Sequence, residues 1–176
     1  MAFERVTKQA LVVAAAILVM IVIAVQLVPR FTPTRITLPA ELGALPLQQH
    51  IFGDEARRII NQMHGKGVTP RANAIGLYAD ETGEATLYLS IYDEEEAAAA
   101  TLKKMIDGIA TGFTPFSDFE QRRIEGEEVA YCTGDGQAHF FFAVGKTLYW
   151  LAVDFSVADE TLRALLHEIK PSAPIV

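Results

Sequence analysis

Residues 10–28, "ALVVAAAILVMIVIAVQLV", contain a single polar side chain, Gln26, in nineteen positions. No segment restricts the fold more. As a helix the run is about 28 Å long, roughly the hydrocarbon thickness of a bilayer. A cleaved signal peptide is the rival reading, but its apolar core is shorter and ends in a small-x-small site. Here the run ends in "QLVPRF", with no such site. The reading is therefore an uncleaved membrane helix over 10–28, preceded by a short tail over 1–9, stopped by Pro29 and edged by Arg30. Arg5 and Lys8 balance Arg30 and Arg35 across it. The N-terminal amine tips the positive-inside comparison towards an inside N-terminus. Ala14, Ala15, Ala16 and Ala24 are small enough to let a second membrane helix approach closely.

Charge narrows the rest. Residues 1–35 carry four of the 15 basic residues and one of the 22 acidic ones, leaving 11 against 21 and a net −10 for the remainder. Such a domain lacks the basic footprint that nucleic-acid binding requires, and anionic lipid does not attract it. A lone cysteine, Cys132, forms no intramolecular disulfide. Pro33, Pro39 and Pro46 mark 29–50 as a stiff, irregular spacer between the span and a domain over 51–176.

Within that domain "GDEARRIINQMHGKG" has a helical apolar face, Ala56, Ile59, Ile60 and Met63, with Asp54 as cap and Gly65 as stop. "ANAIGLYA" and "EATLYLSIY" are strands joined by Asp80–Gly83. A second helix follows, with Asp93 and Glu96 at capping-box spacing, an inward stripe of Ala98, Leu102, Met105, Ile106 and Ile109, and an end at Gly112. "DFEQRRIEG" fits an edge strand, and "EEVAYC", "AHFFFAV" and "TLYWLAVDF" fit a meander. The last helix places Leu162, Leu165, Leu166 and Ile169 inward, with Ser156 and Asp159 as cap and N3. The order α-ββ-α-ββββ-α predicts the α+β class, an antiparallel sheet with three packed helices. "ATLYLSIYD" (85–93) and "KTLYWLAVD" (146–154) resemble each other and raise the alternatives of a duplicated ββα unit or coincidence among β-favouring residues.

Two turns fix the register of the last hairpins. Asp135-Gly136 suits a type I′ turn and Gly145-Lys146 a type II′ turn. Cys132 then lies opposite His139, His139 opposite Ala152, and Phe141 opposite Trp150. Tyr131, Phe140 and Leu151 share the other face with Val129, Phe142 and Tyr149. Both faces are apolar, so either the helices divide between them or another molecule covers one. Tyr131, Phe140, Phe141, Phe142, Tyr149 and Trp150 are accordingly the expected partner or ligand surface.

Chemistry is sparse. Cys132 and His139 could form a thiolate–imidazole pair or, with His64, a metal or haem-iron site. The plainer reading is a buried thiol beside a strand histidine. "GKT" at 145–147 has Phe140 where a phosphate loop needs glycine. His167-Glu168 has no second zinc histidine, and Met63 belongs to a helix stripe. The run Asp93–Glu96 suits a helix N-terminus better than a calcium loop. Arg57, Arg58, Arg122 and Arg123 suit local ion pairs, an anionic ligand or an acidic partner. No nucleophile–base set assembles, so neither catalysis nor a cofactor is expected.

The stretch "GLYADETGEATLYLSIYDEEEA" resembles the outer domains of bacterial single-pass membrane proteins, including membrane-bound anti-sigma factors, where a hairpin of this kind recurs. The resemblance implies a bacterial, extracytoplasmic α+β domain. Nine residues ahead of the span are too few for a sigma-binding domain, so no transcriptional activity carries over. The expected function is a non-catalytic accessory subunit of a larger membrane complex, in the inner membrane with its C-terminal domain outside the cytoplasm. The alternatives are a ligand-binding sensor and a metal- or haem-associated protein.

Overall fold

A computed structural model describes residues 36–63, 69–70, 72–112 and 114–170. The apolar run 10–28 and its alanines lie outside these residues, as do His64 and Gly65. Among the described residues no helix is long and apolar enough to cross a membrane.

Eight strands form one antiparallel sheet. They are β1 (Glu41–Leu42), β2 (Leu45–Phe52), β3 (Ala72–Ala79), β4 (Glu84–Ile91), β5 (Ser117–Ile124), β6 (Glu127–Gly134), β7 (Gln137–Val144) and β8 (Thr147–Val153). The helices are α1 (Gly53–Met63), α2 (Glu95–Ala110) and α3 (Ala158–Ile169). The α+β class and the three helices are as expected. The order β1-β2-β3-β4-β8-β7-β6-β5 joins two four-stranded meanders, with β4 against β8 at the centre. Helix α2 carries the chain from the centre to the far edge.

The spacer expectation fails from residue 36 onward. Leu38, Leu42 and Leu45 are buried in the main core, and 45–52 is a full strand on β3. Pro39 and Pro46 do not prevent this: Pro39 precedes the strands, and Pro46 occupies a strand near the sheet rim, where a missing N–H is tolerated. Alternation explains the strand. Leu45 and Leu47 point into the main core beside Tyr78. A register shift between Leu47 and Gln49 then turns Ile51 to the opposite face, against α1.

The hairpin registers are as derived from the turns: Cys132↔His139, Phe140↔Tyr131, Phe141↔Trp150 and His139↔Ala152. Asp135 and Gly136 have φ of 50° and 80°, as a type I′ turn requires, and Gly145 has φ 54°. The helices divide between the faces. Ala56 and Ile60 of α1 pack on Ile75 and Tyr88. Leu102, Met105, Ile106 and Ile109 of α2 pack on Cys132, Phe141 and Trp150. Leu162, Leu165 and Leu166 of α3 pack on the reverse side with Phe140, Phe142, Leu87 and Leu151.

Two finer expectations need correction. Neither α2 nor α3 is closed by a side-chain cap: Glu94 and Val157 occupy the N-cap positions without a capping bond. The Ser156 hydroxyl instead donates to the Thr82 carbonyl. The similar segments 85–93 and 146–154 pair directly, yet Tyr88 lies opposite Trp150 while Tyr149 lies opposite Leu89. The matching tyrosines therefore point to opposite faces, as do helices α2 and α3 that follow them. A twofold axis perpendicular to the sheet would keep them on one face, so the pair is not related by one.

Candidate functional site

The Cys132–His139 pair sits beneath α2, where the short strands β6 and β7 bring the two residues side by side. Cys132 is fully buried and burial pushes its thiol up to about 11. A thiol is the weaker nucleophile and ligand, so at neutral pH this one is inert. His139 has both ring nitrogens engaged. The Trp150 indole Nε1–H donates to Nδ1 at 3.0 Å. Nε2 lies 3.0 Å from the Gly134 carbonyl oxygen. An indole only donates and a carbonyl only accepts, so the proton sits on Nε2 and the ring is neutral. Burial lowers its pKa, outweighing the Gly134 carbonyl and the more distant Asp135 charge, which both act to raise it. The imidazole has no free lone pair for a metal or for a thiol proton.

Aromatic packing locks the node. Phe116 meets His139 edge-on at 5.0 Å between centroids, and Phe141 stacks on Trp150 at 5.2 Å. Gly134 is required here, because a Cβ at that position would stand 2.5 Å from the Phe116 ring. The group is a polar core device. Among the described residues no cluster of three or more His, Cys, Asp or Glu side chains could hold a metal ion.

The aromatic strip is also placed differently from the expectation. Phe140, Phe141 and Phe142 are buried in the two cores and present no surface to a partner. Tyr131, Tyr149 and Trp150 are half-buried. Tyr131 lies under the Arg122 guanidinium, 4.4 Å from the ring centroid. Arg57 pairs with Asp54, Arg122 with Glu120, and Arg123 with Glu128, all at exposed positions, so three of the four arginines serve local ion pairs.

Of those residues Tyr149 borders an open cleft. About 260 Å³ in volume, it has Leu87, Leu89 and Tyr149 as its floor, Leu165, Glu168 and Ile169 of α3 as one wall, and Thr37 and Pro39 as the other. Burial raises the Tyr149 pKa, so its hydroxyl stays protonated. The floor is apolar, and Glu168 supplies a carboxylate. A small apolar molecule with a donor or cationic end is the chemistry these walls accept. Sequence reading missed the cleft because its second wall belongs to the presumed spacer. The leucines 38, 42, 45 and 47, recurring every two to four residues, were the available signal.

A second polar node also escaped the sequence. Ser90 donates to the Asn73 side-chain oxygen at 2.8 Å, and Asn73 donates to the Pro70 carbonyl at 2.6 Å. Both residues are buried, and the bonds satisfy them while holding the entry to β3. No protein-family model, curated protein or solved structure matches this chain.

Proposed function

We propose that the chain is a membrane-anchored, non-catalytic interaction subunit of a larger bacterial inner-membrane complex, with its α+β domain outside the cytoplasm. One observation carries the reading: the folded domain already begins at Ile36, whose side chain packs against the main core. Seven residues, 29–35, then separate it from the apolar run, a reach of at most about 25 Å when fully extended. A short tether limits the heights the domain can sample and suits a fixed contact with neighbouring subunits. The inert thiol and saturated imidazole support a role without chemistry at that node, and they give the metal or haem alternative no support.

The test is extraction of the tagged full-length chain with a mild detergent, followed by size separation. The expected result is a membrane-bound chain, resistant to alkaline washing, that migrates above its own mass with membrane subunits at fixed ratio. A chain released by washing would overturn the anchor. A chain that runs alone and unpartnered would overturn the subunit role.

The cleft beside Tyr149 favours a second reading, an extracytoplasmic sensor for a small apolar ligand. Thr37→Trp, on the exposed wall, would fill the cleft, so loss of ligand binding with retained folding and membrane attachment would select this reading.

A further inference from the structure

The two edges of the sheet are treated in opposite ways. Strand β5 guards its edge as soluble sheets do. Its ladder is interrupted between Ser117 and Glu120, Asp118 sits at φ 54°, and the exposed Glu120, Arg122 and Arg123 carry charge along it. Strand β2 shares only the ladder irregularity, between Leu47 and Gln49, and from there on carries no charged side chain. Its outer neighbour β1 pairs only Leu45 and Pro46, and one further bond joins the Leu47 N–H to the Ala40 carbonyl. From Gln49 to Phe52 the outer backbone edge bonds to no described residue. The segment Gln49-His50-Ile51-Phe52 has no acidic residue, lysine or arginine, and all but the half-buried Ile51 are exposed. Phe52 is 43% exposed, and its ring lies 5.0 Å from that of His50.

We propose that this edge is a self-association site, at which β2 of one copy pairs antiparallel with β2 of a second copy about a twofold axis at Ile51. Three observations select a second copy. An open ladder of backbone donors and acceptors is satisfied by another extended strand. The domain is strongly acidic, so two copies repel each other except along an uncharged rim, and Leu45–Phe52 is such a rim. The segment is also self-complementary. His50 and Phe52 share one face, opposite Gly76 and Ala74, while Ile51 lies on the other, opposite Ile75. A register centred on Ile51 therefore sets Ile51 against Ile51 on one face and the ring of His50 against the ring of Phe52 of the second copy on the other. Three paired positions, His50 to Phe52, make a weak contact alone. The pairing does not depend on the membrane reading, although anchoring both copies in one bilayer would raise their effective concentration.

The experiment uses the full-length chain with Cys132→Ala, so that an introduced cysteine is the sole thiol. Ile51→Cys on β2 and Gln121→Cys on β5 are oxidised in parallel, in membranes and in detergent extract, after folding is checked by circular dichroism. The expected result is roughly tenfold more disulfide-linked homodimer at Ile51→Cys, as a docked pair holds its thiols at high effective concentration. Phe52→Asp in the Ile51→Cys chain should abolish the excess. Where Ile51→Cys folds poorly, co-expressed His50→Cys and Phe52→Cys chains should cross-link to each other more than either does to itself. Equal cross-linking at the two edges, none at β2, or linkage of β2 to a different protein would each overturn the proposal. Loss of membrane attachment with the β2 cross-link retained would overturn the anchor alone.

Discussion

The two sides of strand β7 solve the same problem by different means. On one side Phe140 and Phe142 enter a core dominated by aliphatic side chains, among them Leu151, Leu162, Leu165 and Leu166. On the other, His139 and Phe141 enter a smaller cluster with Cys132 and Trp150 beneath α2. The first side needs only volume and shape, because apolar burial is non-directional. The second must also satisfy two ring nitrogens and an indole N–H, which demands fixed positions for Gly134, His139 and Trp150. A core holding a histidine is more specified than one of leucines, and more easily broken by small chemical changes.

Four experiments sharpen that contrast. The largest effect is expected from Phe142→Ala, which empties a fully buried site stacked on Tyr149 at 5.1 Å. Denaturant unfolding should show a loss of about 3–5 kcal/mol. Trp150→Phe keeps an aromatic ring but orphans the His139 Nδ1, so a loss of about 1–3 kcal/mol should appear by circular dichroism. A loss as large as that of Phe142→Ala, or none, would contradict the assigned bond.

The third experiment uses pH, with Trp150, the sole tryptophan, as the fluorescent probe. The folded His139 pKa lies below its ordinary value of 6.5. The unfolded chain therefore binds the proton first. Stability should be complete above about pH 6.5 and decline as pH falls below it, by up to about 1.4 kcal/mol per unit, until the folded ring protonates. His139→Gln retains a donor and an acceptor and should flatten this slope. A slope unchanged in that variant would assign the proton uptake elsewhere. The smallest effect concerns Cys132. With its thiol pushed up to about 11 and buried, alkylation of native protein at pH 7 should be no faster than global opening. Rapid labelling would revive the thiolate reading.

How much was legible beforehand depended on range. The hairpins 127–153 could be read to the residue, since two-residue turns need positive φ and glycine supplies it locally. The stripes of α2 and α3 followed from helical periodicity, as Ile109 and Leu162 show. The caps were misread because several polar residues near each helix start could serve, and the choice rests on the incoming chain's path. The segment 36–50 was misread because its prolines are local signals, whereas its strand exists only through pairing with β3 and burial of Leu38, Leu42 and Leu45.

By itself, then, the sequence determined the α+β class, the registers around His139, the acidic balance and the apolar run at 10–28. These depend on neighbours a few residues apart or on simple composition. The tertiary structure alone decided which helix covers which face, and that Phe140, Phe141 and Phe142 are core rather than surface. It also decided that His139 is bonded and neutral, that Tyr149 borders a cleft, and that β2 is left open from Gln49 to Phe52. Those outcomes depend on where a helix lands after a crossover and on contacts such as Pro39 with Tyr78, 39 residues apart. No local pattern encodes the partner of such a contact, because its energy exists only once the distant segment has arrived.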